Sequence, residues 1–195
     1  MKLYYSPGAC SLADHIALHE AGLDFDHVKV DLKAKTTENS DDFTAINPKG
    51  YVPALALEAG EVLTENVAIL EWIAQQAPRL GVAGPMGRTH LLEALAYIST
   101  EVHKGFKPFF TPDATEDAKA KAGETITKRL QYLADRFDGD YLFGGTVSVA
   151  DCYLFVMLLW AGRNGVTVPD PLPAFRDRML ARGAVQTALK HEGLA

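Results

Sequence analysis

Apolar and polar positions divide the chain into two textures. In residues 1–77 short β-rich runs alternate with helical patterns, whereas from about Gly87 everything between the turns carries the helical period. Residues 2–5 predict a strand, and Leu12, Ile16 and His19 then fall at helical spacing until Gly22 ends the pattern. Residues 27–30 predict a second strand, and the polar run 33–42 a loop with a helical turn near Phe43. Residues 54–57 and 61–63 flank Ala59-Gly60 as a hairpin, and Val67, Leu70, Ile73 and Ala74 form an apolar helix stripe. The order is βαβ, a loop, then ββα. A thioredoxin-like domain shows that order, although alternation alone fits other small α/β domains.

The second texture predicts a long helix over 88–109, another over 115–137, an apolar one from Val149, and two short ones near the end, together an all-α bundle. Ser148 and Asp151 form a capping-box pair at the start of the apolar helix, with Val147 placed to pack on Cys152 as a hydrophobic staple. Between the textures, Pro78, Gly81, Gly84, Pro85 and Gly87 have the punctuation of an interdomain linker. The expected division is therefore 1–77, a linker at 78–86, and 87–195.

Composition narrows the class. With 195 residues, 48% apolar and 23% charged, the chain is an ordinary globular one. Twenty-five acids against 19 bases give a net charge of -6, a poor basis for gripping nucleic acid. Cys10 and Cys152 are the only cysteines and neither belongs to a CxxC pair, so neither a disulfide framework nor a structural zinc site is expected, and a reducing cytoplasm fits. The longest strongly apolar run, 153–161, is far shorter than the roughly 20 residues of a membrane span, and Pro7, Gly8 and Asp14 interrupt any export signal. No membrane partner is expected.

Several residues invite chemistry. Cys10 sits where the first strand turns into the first helix, near free N–H groups and the positive end of a helix dipole, which would favour a thiolate; a lone cysteine is otherwise a small buried hydrophobe. In Tyr51-Val52-Pro53 the proline cannot donate to a ladder, so the Val52 backbone is either free to bind something or merely begins a strand. Leu63-Thr64-Glu65-Asn66 opens a helix where Asn66 or Thr64 can cap and free N–H groups can receive a carboxylate. His103, Lys104 and Lys107 make a local basic patch that is either an anion site or a solvated helix face. His15 and His19 are four apart but lack the HExxH pattern, and no metal is assigned to them or to His27, His90 and His191.

Taken together, MKLYYSPGACSL, INPKGYVPAL, LTENVAIL, EVHKGF, SVADCYLF and the final HEGLA resemble the bacterial beta class of glutathione transferases over essentially the whole chain. The resemblance implies a thioredoxin-like α/β domain followed by an all-α domain, a cytosolic homodimer, and a detoxifying attack of glutathione thiolate on small electrophiles. It implies Cys10 and His103 as catalytic residues beside the sulfur, with Lys104 adjacent and Thr100 on the same stretch. Lys35 would reach the glycyl end of glutathione, the backbone of Val52 before a cis Pro53 its cysteinyl unit, and Glu65 and Asn66 its γ-glutamyl group. A glutathione-dependent thiol transferase working through a Cys10 mixed disulfide, and a non-catalytic ligand-binding relative, are the alternatives. Asn66 stands where serine or glycine is usual, Ala96 where an asparagine often reaches across from the partner subunit, and Ala94 where tryptophan is frequent.

Overall fold

In the computed structural model, which describes residues 1–195, the first texture folds as a five-stranded sheet of order β3-β2-β1-β4-β5. Strand β1 (Lys2–Tyr5) runs parallel to β2 (Asp26–Asp31) and antiparallel to β4 (Ala54–Ala56), which pairs antiparallel with β5 (Val62–Thr64). Helix α1 (Leu12–Ala21) crosses between β1 and β2, and Gly22 ends it in the left-handed conformation (φ 68°) that glycine adopts without Cβ strain. A two-residue edge strand β3 (Thr36–Thr37) lies inside the segment read as loop. Two residues are too few to show a period. Helix α2 (Phe43–Ile46) is the expected turn at Phe43, and α3 (Asn66–Gln76) carries the apolar stripe, with Ile69, Leu70 and Ile73 fully buried.

The second texture is helical throughout, but the helix expected over 88–109 is not one helix. It divides into α4 (Gly87–Tyr97), a π turn (Ile98–His103), a 3-10 turn (Lys104–Phe106) and α5 (Lys107–Phe110). Pro108 removes a backbone donor where the 3-10 turn meets α5, and a Cβ at Gly105 would lie 2.9 Å from the Ile126 side chain, so the 3-10 turn packs closely on α6. Helices α6 (Glu116–Ala134), α7 (Val149–Arg163), α8 (Leu172–Leu180) and α9 (Gly183–His191) follow. Helix α7 is buried on almost every side, and its side chains join those of α1 and α3 in one continuous core spanning both textures.

Candidate functional site

Cys10 closes the loop between β1 and α1, and three contacts hold that loop in place. Ser11 Oγ accepts from Ser6 N–H at 3.2 Å, Gly8 N–H donates to Glu192 Oε2 at 2.8 Å, and Trp160 Nε1 on α7 donates to Gly8 O at 2.8 Å. The half-buried Cys10 Sγ donates to Val52 O across a distance of 3.7 Å. Val52 precedes a cis peptide to Pro53, and its own N–H forms no hydrogen bond within the chain. The sulfur therefore faces a strand-like backbone edge with an open donor.

The thiol is not acidified. Burial first and the neighbouring Asp14 second push Cys10 up to about 12, outweighing the Cys10 and Ser11 backbone N–H groups that pull it down. This reverses the direction expected from the helix start alone. Asp14 is fully buried beneath it, with Oδ1 unpartnered, and burial holds its own carboxyl well above the usual carboxylate range. A buried acid and a buried thiol both favour their neutral forms.

At the other end of this edge, Glu65 precedes α3 with φ 72°, a left-handed conformation costly for a residue with a side chain. Its Oε1 receives Lys49 Nζ at 2.5 Å and Tyr51 O–H at 2.7 Å. Hydrogen bonds from Lys49 and Tyr51 hold the Glu65 carboxyl below its usual range, and Lys104 adds to that pull. Lys49 and Tyr51 were missing from the residues selected from sequence. The hairpin register carries their signal, because pairing Ala54 with Thr64 sets Glu65 opposite Pro53 and next to the segment they occupy.

Asn66 does not cap α3. It is buried, and its Nδ2 donates to Cys10 O at 2.9 Å and Asp14 Oδ2 at 3.0 Å, tying the α3 start to the Cys10 turn. No side chain caps α3, so its first N–H groups lack that kind of partner. Lys35, in a left-handed conformation (φ 60°), donates from Nζ to Gly50 O at 2.6 Å and so lies beside the segment that leads to Val52.

The π turn delivers His103 to α7, where its Nδ1 is 2.6 Å from Tyr153 Oη and its ring packs edge-on against Trp160. Burial, then the Lys104 charge, lower the His103 imidazolium pKa to about 4, so the ring is neutral at pH 7. Tyr153 is a further residue absent from the sequence selection, its signal hidden in a helix apolar on all sides. Burial first, and the Cys10 sulfur second, raise the Tyr153 hydroxyl pKa, so that hydroxyl lies within electrostatic reach of the sulfur. Phe110, 58% exposed, packs edge-on against Trp160 and gives this end an open aromatic wall. Thr100 stands apart from these groups. Its hydroxyl donates to Ala96 O, and it lines a groove of about 860 Å³ between α4 and α6 with Ala94, Ala96, Tyr97 and Tyr132.

Comparison with known proteins gives a consistent picture. Residues 9–76 match the family description "Glutathione S-transferase, N-terminal domain", and residues 97–182 match "Glutathione S-transferase, C-terminal domain". The chain is 45% identical to glutathione S-transferase GstA of Escherichia coli O157:H7 over 200 residues, covering all of both chains. A sphingomonad glutathione S-transferase solved in complex with glutathione superposes with a TM-score of 0.90 at 46% identity, covering all of both chains. The beta-class glutathione S-transferase of Sphingomonas chungbukensis superposes at 0.89 with 45% identity, again over all of both chains.

Proposed function

This chain belongs to the glutathione S-transferase family, and from that premise we propose that it is a beta-class enzyme conjugating glutathione to small, largely apolar electrophiles in detoxification. The row formed by Cys10, Val52 and Glu65 carries the reading, since it offers a tripeptide a sulfur-facing wall, an extended backbone edge and an anionic anchor. Val52 pairs with the cysteinyl unit in strand-like geometry. Glu65 takes the γ-glutamyl ammonium, the open N–H groups at the start of α3 take its carboxylate, and Lys35 takes the glycyl carboxylate. Asn66 serves by positioning that helix start. The two domains divide at 78–86, the first binding glutathione and the second supplying the electrophile wall at Phe110 and Trp160.

In the reaction the glutathione thiolate forms a carbon–sulfur bond as the leaving group departs with its electron pair, and the thiol proton passes to solvent. A thiol held near pKa 12 suits Cys10 to donating its S–H to that thiolate and not to attacking in its own right. His103, neutral with Nδ1 occupied by Tyr153, offers Nε2–H as a second donor. Lys104 supplies positive field toward the Glu65 end. Two copies pair through the α4 and α6 faces, bringing Thr100 toward the second copy's cleft, and the dimer works in the cytoplasm, where both free cysteines stay reduced. The test is retention on glutathione-agarose with parallel assays on an aryl halide and a mixed disulfide. Retention with aryl-halide turnover is expected. Turnover of the mixed disulfide alone would assign thiol transfer through Cys10, and failure to be retained would remove glutathione from the reading.

A further inference from the structure

Four of the six histidines gather where α1, β2 and the end of α9 meet, apart from the Cys10–Glu65 edge. One ring nitrogen from each of His15, His27 and His191 lies within 4.8 Å of the other two. The rings of His27 and His191 stack at 4.5 Å, and both lie within 5.6 Å of His15. His19, one turn along α1 from His15, stacks on it at 5.2 Å.

Two observations give this cluster a ligand-binding character. His15 is fully buried and its Nε2 has no hydrogen-bond partner, as is true of His19 Nε2. A buried polar atom without a partner calls for an explanation. His15 Nδ1 is also 3.0 Å from Glu192 Oε1, while Glu192 Oε2 accepts the Gly8 N–H. A carboxylate on one ring nitrogen fixes the proton there and leaves the lone pair on the other, the arrangement that orients histidine ligands toward metals. Burial falls from His15 through half-buried His27 to exposed His191, so the cluster opens to solvent on one side.

We propose that His15, His27 and His191 bind a divalent transition-metal ion of the zinc class, with His19 Nε2 or a water completing four-coordination. An all-imidazole set suits zinc, copper, nickel or cobalt and not the hard oxygen-seeking cations. Metal–nitrogen bonds of 2.0–2.1 Å in a tetrahedron place ligand nitrogens roughly 3.4 Å apart, so the rings must draw in from 4.8 Å. Exposed His191 and half-buried His27 supply that movement by side-chain rotation, while His15 stays fixed by Glu192. The bound ion clamps the end of α9 onto α1 and β2. The HExxH spacing test misses this site because its ligands come from three separate elements.

The test uses the full-length protein freed of metal with a chelator and titrated with Co²⁺. Expected is visible ligand-field absorption that saturates at one ion per chain and is displaced by Zn²⁺. Zn²⁺ at a hundredfold excess over its Kd should raise the thermal midpoint by roughly 5–10 °C. His191→Ala, at an exposed position that leaves the fold intact, and His27→Leu should each weaken Co²⁺ binding at least tenfold, whereas Cys10→Ser should leave it unchanged. Absorption that persists undiminished in His191→Ala, disappears in Cys10→Ser, or never saturates would overturn the site. None of these readouts depends on transferase activity.

Discussion

At the start of α7, Ser148 Oγ accepts the Asp151 N–H, and Asp151 returns bonds to Ser148 N at 2.7 Å, Ser148 Oγ at 2.6 Å and Leu142 N at 2.9 Å. Ser148 and Asp151 are both buried. At the start of α3 no side chain plays that part. Glu65 turns to Lys49 and Tyr51, and Asn66 reaches back to Cys10 O. A helix start sealed in the core must be satisfied from within, because water cannot reach its donors. A start beside an open cleft can keep its donors for an incoming carboxylate at little cost. In the function proposed above the start of α3 is the one that serves a ligand, and it is the one that carries the strained φ of Glu65.

The start of α1 probes this contrast hardest, since it also lacks a side-chain cap but lies beside a buried acid. With Cys10 at about 12, its alkylation by iodoacetamide at pH 7 should run roughly a thousandfold slower than that of an unperturbed thiol, and rise about tenfold per pH unit as thiolate forms. Mass spectrometry of protein labelled between pH 6 and 10 measures this. Ready labelling of Cys10 at mildly acidic pH would mean that the helix start overrides burial.

Asp151→Ala comes next in size. An exposed cap would cost about 1 kcal/mol, but this carboxylate serves two buried backbone donors and a hydroxyl, so a loss near 3 kcal/mol is expected. Urea unfolding reads the loss, and the glutathione affinity of the folded fraction should stay unchanged. A weakened affinity at full stability would place α7's start in the functional cleft.

Glu65→Gly should do the reverse. Relief of the left-handed backbone should raise stability by up to ~1 kcal/mol, while loss of the carboxylate weakens glutathione binding about 10- to 30-fold. Calorimetric titration alongside thermal unfolding separates the two effects. Loss of both together would make Glu65 a structural residue.

The smallest expected effect is that of Lys49→Met. In the proposed function ionised Glu65 binds the ammonium, so affinity should fall as pH drops through the Glu65 pKa, which Lys49 holds down. Removing Lys49 raises that pKa, and the loss of binding should begin at higher pH. The shift should be under about one unit, since both side chains of the pair are largely exposed and water screens their interaction. An unshifted acid limb would assign the control of Glu65 to Tyr51.

The elements legible in the sequence were those fixed by local periodicity and local hydrogen bonding. Strands β1, β2, β4 and β5, helices α1 and α3, and the Ser148–Asp151 box follow from spacing within a few residues. The family motifs pointed to Cys10, Val52, Glu65 and His103; the contacts these make, Cys10 with Val52 O, Glu65 with Lys49 and His103 with Tyr153, are long-range ones that spacing does not show. Tertiary structure decided what those residues face. The helix expected over 88–109 gives way to π and 3-10 turns from Ile98 onward, and while Pro108 is legible in the sequence, the close approach of Gly105 to Ile126 across the bundle is a contact that no periodicity encodes. Asn66 became a tie and not a cap because Cys10 O and Asp14 lie within its reach. The Cys10 thiol rose to about 12 because burial and a neighbouring acid outweigh a helix start, and solvent access is set only once distant segments pack together.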